Sequence, residues 1–134
     1  MASHQGGCFC GSVRYQLSAD AEASMVCHCN SCRKLSGAPV LAWISVPVYG
    51  FEFIKGRPQE LHSSKQVSRW FCGDCGTHMA YQHQSEPEYI DVTTCTLDKP
   101  ETFPPGHHSW LQDNLSWVKN GDDLPCFQQS RNQG

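Results

Sequence analysis

The sequence has little charge and no long hydrophobic segment. Only 17% of its 134 residues are charged, and the formal net charge is −3. The longest clean apolar run, residues 40–44, is far too short to span a bilayer. The basic residues form no Lys/Arg block, whereas binding to phosphates requires concentrated positive charge. We therefore expect neither a nucleic acid nor a membrane surface as the main partner.

Signals for secretion and for long helices are also missing. Residues 1–15 contain no basic region followed by an apolar stretch, so we expect no signal peptide. Proteins that remain inside the cell keep their thiols reduced. We therefore expect a cytoplasmic protein whose cysteines bind metal rather than form disulfides.

Short runs rich in β-forming residues dominate the chain. No window of twelve or more residues keeps a 3.6-residue hydrophobic period, although residues 31–35 could form one helical turn. The runs predict strands at 13–17, 39–46, 51–55, 60–63, 67–71, 77–81 and 89–93. We expect a single, mostly β domain over residues 1–134, with small stacked antiparallel sheets. The polar end, residues 128–134, is expected to be frayed.

Cysteine is abundant, with nine residues. Since nine is an odd number, at least one thiol cannot pair within the chain. Three tight groups contain seven of them: Cys8 and Cys10; Cys27, Cys29 and Cys32; Cys72 and Cys75. The other two, Cys95 and Cys126, are expected to be buried, inert thiols.

The first and third groups can together form a closed metal site, which we call the four-cysteine cluster. On a strand, Cys8 and Cys10 would point to the same face because residues two apart share a face. Cys72 and Cys75 have the spacing of a tight CxxC turn, in which the neighbouring glycines tolerate the required backbone. Four thiolates would complete a tetrahedral, structural site that joins two distant segments of the chain.

The second group, Cys27, Cys29 and Cys32, offers three sulfurs and is called the three-cysteine cluster. Three protein ligands with one open position are typical of a catalytic zinc site. Thiolates are soft ligands that suit zinc. Arg33 and Lys34 follow directly and can offset the negative charge of such a site.

Other interpretations of the cysteines remain open. A CxxC pair can act as a redox dithiol, and the cysteines could form structural disulfides. Both clusters could also be purely structural, with His28 or another histidine as the missing fourth ligand. The redox interpretation predicts no tightly bound metal.

These groups, in this order, resemble the glutathione-dependent formaldehyde-activating enzyme family, which includes centromere protein V. The resemblance covers residues 7–15, 27–34, 71–77, 96–98 and 122–127, with Gly37, His108 and Trp117. It implies stacked β-sheets held by two zinc ions per chain. One zinc would be structural, on the four-cysteine cluster, and the other would lie near the reaction, on the three-cysteine cluster.

The resemblance also implies an activity. This is a carbon–sulfur lyase-type reaction in which glutathione adds to formaldehyde to give S-hydroxymethylglutathione, so the partners are a small thiol and a small aldehyde. Zinc could favour the thiolate of glutathione or polarise the aldehyde oxygen. The alternative is a non-catalytic, zinc-stabilised protein-interaction module.

Candidate residues beside zinc follow from this chemistry. The new hydroxyl needs a proton, and His28 and His108 are the catalytic candidates. Glutathione is anionic, so Arg33 and Lys34 are candidates for contact with it. Arg69 also lies beside a cysteine group in the sequence, but each of these cations is most simply an exposed, solubilising charge.

We predict two zinc ions per purified chain. Seven cysteines at metal-binding spacings support this stoichiometry, and elemental analysis with titration of free thiols measures it. A protein with no metal and with intact disulfides would contradict the interpretation of all three groups.

Overall fold

The computed structural model describes residues 3–133, which form ten strands and one α-helix. The helix is α1 (Asn30–Ser36), and the strands are β1 (His4–Gly7), β2 (Arg14–Leu17), β3 (Ala23–Cys27), β4 (Leu41–Pro47), β5 (Phe51–Lys55), β6 (Gln59–Ser64), β7 (Val67–Phe71), β8 (His78–His83), β9 (Tyr89–Thr93) and β10 (His108–Ser109). The mostly β class is thus confirmed. No helix in this part of the chain is long and apolar enough to cross a membrane.

The strands form two sheets. The small sheet has the order β1-β2-β5, and the large one has the order β10-β3-β4-β9-β8-β7-β6. Neighbouring strands are antiparallel, except that β10 runs parallel to β3. The short strand β10 thereby brings the chain near His108 next to the end of β3.

The main core lies between the two sheets. It is formed by Tyr15, Leu17, Ile44, Val46, Ala80, Ile90, Val92 and Leu97. Tyr15 is fully buried, its hydroxyl lies 2.8 Å from Thr96 Oγ1, and its ring stacks on Phe51. The hydroxyl is thus satisfied inside an apolar core, as buried polar groups require.

The two faces of the large sheet differ because side chains alternate along each strand. In β4, Ile44 and Val46 point into the core, whereas Trp43 and Ser45 point to the opposite face. The same division extends to β9, because Ser45 pairs with Asp91 and paired residues point to the same face of the sheet. The face opposite the core is therefore mixed in polarity and carries the candidate site.

All seven predicted strands are present, three with the predicted bounds and four with bounds that differ by one or two residues, and the predicted helical turn is α1. The sequence analysis missed β1, β3 and β10. These strands contain histidine, serine, glycine and alanine, which carry a weak β signal, and β10 has only two residues. Pairing with neighbouring strands stabilises them, and that pairing is not encoded locally.

The turn after β5 is closely packed against the cysteine-bearing N-terminal loop. Gly56 has a φ of +72°, and a Cβ atom there would collide with the carbonyl oxygen of Ser12. Gly37, which ends α1, has a similar φ of +70°, but a Cβ atom there would meet no atom within 4 Å. Both glycines therefore need a left-handed backbone, but only Gly56 lacks space for a side chain.

We predict that Gly56→Ala destabilises the protein more than Gly37→Ala does. The left-handed backbone costs each alanine about 1–2 kcal/mol, and overpacking against Ser12 adds roughly 1–3 kcal/mol to the first variant. Urea unfolding of both variants measures the difference. Equal losses of stability would contradict the close packing described for Gly56.

Candidate active site

The four sulfurs of the four-cysteine cluster converge from two distant turns. All four Sγ atoms lie within 4.8 Å of one another, with 3.6 Å between Cys8 and Cys10 and 3.8 Å between Cys10 and Cys72. Four sulfurs bound tetrahedrally to zinc at about 2.3 Å would lie about 3.8 Å apart. All nine cysteines are free thiols. The cluster can therefore hold a metal ion, and its donor set fits zinc.

The turn that carries Cys8 and Cys10 differs from the expected strand, so that prediction was wrong. The amide of Gly11 donates to the carbonyl of Cys8 at 3.1 Å, and Gly11 has a φ of +81°. The amide of Val13 then donates to Cys8 Sγ at 3.3 Å. A turn brings the two sulfurs together and also supplies an amide donor, which a regular strand would use for sheet pairing.

Polar groups surround the same sulfurs. Ser12 Oγ lies 3.1 Å from Cys10 Sγ and 3.3 Å from Cys72 Sγ, and Thr77 Oγ1 lies 3.2 Å from Cys75 Sγ. The hydrogen bond from Thr77 lowers the pKa of Cys75 to about 5. Donors of this kind stabilise thiolates, which are the form that binds metal.

The three-cysteine cluster lies at the junction of β3 and α1. Cys27 ends β3, Cys29 is the N-cap of α1, and Cys32 lies in its first turn. Cys29 Sγ accepts from the amide of Cys32 at 3.3 Å, and the Sγ atoms of Cys27 and Cys32 are 3.5 Å apart. All three sulfurs lie within 4.8 Å of one another. The capped start of the helix thus supplies two sulfurs and the end of β3 supplies the third, one fewer in all than in the four-cysteine cluster.

A cavity of about 390 Å³ opens beside the three-cysteine cluster, whose three members all contribute to its wall. It lies on the face of the large sheet opposite the core. Trp43 and Trp110 also line it, together with Met25. Trp110 has a φ of +58° and is the only non-glycine residue with positive φ in the described part. The backbone strain at this residue is thus located at the cavity wall.

Two charged residues that line this cavity were not identified as site residues from the sequence. Arg69, expected to be an exposed charge, is instead only 4% exposed. Asp91 lies on the same sheet face, and burial raises its pKa to about 6 against the opposing effects of Ser45 and Arg131. Both residues lie in the middle of predicted strands. The alternation of side chains along those strands was the one signal in the sequence that could have placed them on the cavity face.

The histidine candidates lie behind the cluster wall. His28 and His108 are buried, their Nε2 and Nδ1 atoms are 3.0 Å apart, and His108 Nε2 lies 3.0 Å from Asp122 Oδ1. Neither histidine is part of the lining of the cavity described above. Burial lowers the pKa of His28, and the charge of His108 adds to the effect. The pair connects the cluster to an exposed carboxylate.

The cations next to the cluster in sequence also lie outside the cavity lining. Arg33 Nη1 donates to the carbonyl oxygens of His28, at 2.6 Å, and of Asp113. Lys34 is exposed. Arg33 therefore holds α1 against a neighbouring loop, and contact of either cation with a substrate stays a prediction.

Two other expectations were wrong. Cys95 and Cys126 are exposed rather than buried. Cys95 lies in a short 3-10 turn after β9 in which Thr94 takes the buried position. The chain end is not simply frayed, because Ser130, Arg131 and Asn132 line the cavity. Backbone hydrogen bonds from residues 110–112 to residues 127–129 hold that end in place.

The fold and the site together define a class of protein: a mostly β chain with two cysteine clusters that can each hold a metal ion, one of them at a cavity. The model of the glutathione-dependent formaldehyde-activating enzyme family matches residues 3–113. The chain belongs to this family. The resemblance stated from the sequence is therefore confirmed.

Known proteins that are similar to the chain include a relative from yeast and a bacterial protein of known structure. One is an uncharacterized lyase of Schizosaccharomyces pombe, 25% identical in an alignment of 126 positions that covers 77% of this chain and 85% of the relative. The other is a crystal structure of a Rhodobacter sphaeroides protein, which superposes with a TM-score of 0.59 at 19% identity. That match covers 92% of this chain and 99% of the other, and it shows a shared fold.

We predict that Asp91→Asn changes stability in a pH-dependent way. Because the folded pKa is raised, the stability that neutral Asp91 provides is complete below about pH 4 and is lost as the pH rises through about 6. The variant cannot ionise at this position, so it should be more stable than the wild type at pH 8 by roughly 1–2 kcal/mol, allowing for partial hydration of the carboxylate. Urea unfolding at pH 5 and pH 8 gives the difference.

Asp98→Asn is the matched control for this test. The hydrogen bond from Arg14 lowers the pKa of Asp98, so its charge stabilises the fold above the unfolded pKa. Loss of that charge should lower stability at pH 8. A difference between Asp91→Asn and the wild type that does not change with pH would contradict the raised pKa.

Proposed function

We propose that this chain is a zinc-dependent, carbon–sulfur lyase-type enzyme that adds a thiol to a small aldehyde. Glutathione and formaldehyde are the substrates that the family's name indicates. The observation that carries the proposal is the position of the three-cysteine cluster, whose incomplete ligand set forms part of a cavity wall. The name of the fission yeast relative, a lyase, supports the reaction class.

The two clusters fit different roles for zinc. Cys8, Cys10, Cys72 and Cys75 offer four sulfurs, which fill a tetrahedral site and suit a structural ion. The three-cysteine cluster leaves one position for a substrate or water. When bound there, zinc would supply a Lewis acid that favours the thiolate form of a substrate thiol.

The reaction balances without an oxidant or reductant. The thiol sulfur forms a bond to the carbonyl carbon, the carbonyl π bond breaks, and a proton passes from the sulfur to the oxygen. Asp91 lines the same cavity and titrates near pH 6, so it is suited to hold or release that proton. Trp43 and Trp110 line the same cavity.

His28 and His108 then have a positioning role in this proposal. The two rings are buried and hydrogen-bonded to each other, and the ring of His108 is also hydrogen-bonded to Asp122. The pair therefore holds the end of β3, next to Cys27 and Cys29. This differs from the direct proton donation that the sequence analysis considered. A non-catalytic interaction module predicts instead that both metal sites are saturated by protein ligands.

We predict that Cys29→Ser and Cys75→Ser have different consequences. Serine keeps the N-cap of α1, so Cys29→Ser should fold, bind one zinc ion instead of two and lose activity. Cys75→Ser should unfold the domain, because structural zinc contributes roughly 10–16 kcal/mol of apparent binding free energy. Zinc analysis and circular dichroism distinguish the two outcomes.

The activity of the same proteins is measured by NMR exchange between formaldehyde and glutathione. The wild type should accelerate the exchange over the spontaneous rate, and Cys29→Ser should not. A wild type that gives no acceleration would contradict the proposed reaction. Identical behaviour of the two variants would contradict the division into catalytic and structural sites.

A further inference from the structure

Arg69 is a buried cation without an anionic partner. It lies on β7 and points to the cavity face of the large sheet, where its residue is only 4% exposed. A buried charge is costly unless it is paired and hydrogen-bonded. Among the described residues, Arg69 forms no ion pair with a carboxylate. No carboxylate side chain of the described part therefore compensates this charge.

The contacts of Arg69 leave one edge of its guanidinium group unused. Nε donates to Ser63 Oγ at 3.0 Å, and Cζ lies 4.9 Å above the ring of Tyr81. These contacts orient the planar group. Nη1 is buried and has no hydrogen-bond partner among the described residues. An oriented guanidinium with a free donor is suited to bind a carboxylate through charge-assisted hydrogen bonds.

The thiolates of the three-cysteine cluster are a competing explanation. Hydrogen bonds with Cys27 and Cys32 are the main cause that lowers the pKa of Cys29, and the positive charge of Arg69 acts in the same direction, so the guanidinium group and the cluster interact electrostatically. A point charge is sufficient for that role, however. The free Nη1 donor and the aromatic support of Tyr81 are features of directional recognition, which a point charge does not need.

We propose that Arg69 binds a carboxylate of the thiol substrate, so that the enzyme selects thiols that carry an acidic group. This inference rests on the proposed function, since it assumes that the thiol occupies this cavity. The cluster would receive the sulfur end of the substrate, and Arg69 its anionic end. Arg69 is then a specificity residue rather than a structural charge.

Binding of an unreactive ligand tests this assignment separately from catalysis. S-methylglutathione carries both carboxylates but no free thiol, and its dimethyl ester lacks the negative charges. Calorimetry on the zinc-loaded full chain should show that the wild type binds the anionic form roughly 10-fold or more tightly than the ester, the size of a charge-assisted hydrogen bond. Arg69→Met should bind both forms with similar affinity, close to that of the wild type for the ester.

Two further variants make the test specific. Arg57 is exposed and outside the cavity lining, so Arg57→Met removes the same charge elsewhere and should keep the preference of the wild type. Arg69→Lys keeps the charge without the planar donor group and should reduce the preference without abolishing it. If zinc content and circular dichroism show that Arg69→Met does not fold, Arg69→Lys still tests the role of Arg69.

The outcomes separate this inference from the proposed function. A wild type without preference for the anionic ligand, or variants at position 69 that weaken both ligands equally, would overturn the role of Arg69. Acceleration of formaldehyde exchange would still support the enzyme in that case. Conversely, a preference that depends on Arg69 in a protein without such acceleration would support the anion site and count against the reaction.

Discussion

The alternation of side chains across the seven-stranded sheet is the constraint on which the rest of the structure depends. Every second residue must face the small sheet, and this half is apolar, as Ile44 and Val92 illustrate. The intervening residues point the other way, and these include Trp43 and Asp91. One sheet thus provides a core and a cavity floor, and a register shift of a single residue would exchange the two.

The two cysteine clusters occupy different places in this plan. The four-cysteine cluster joins the turn after β1 to the turn between β7 and β8, and so connects the small sheet to the large one. The three-cysteine cluster lies at one end of β3, where the chain leaves the sheet and enters α1. A cluster that joins two sheets suits a structural ion, whereas one at the end of a strand can face a cavity.

The cavity combines groups whose charges influence one another. Thiols, the buried guanidinium of Arg69 and the carboxyl group of Asp91 share one partly enclosed space whose lining is mixed in polarity. In such surroundings electrostatic interactions are stronger than in water. Burial raises the pKa of Asp91, and hydrogen bonds with Cys27 and Cys32, with a smaller contribution from the positive charge of Arg69, lower the pKa of Cys29. Perturbed groups gathered in a cleft are typical of functional sites.

The sequence by itself determined the strands with strong alternation, the helical turn at α1, the two sets of cysteines that can hold a metal ion, and the family. These features depend on spacing over a few residues, which sets the direction of side chains locally. Tertiary structure alone decided that Arg69 is buried in the cavity and that His108 lies behind the cluster. Residues 130–132 reach the cavity for the same reason. Such contacts join residues far apart in the chain, and sheet order and register, rather than local pattern, bring them together.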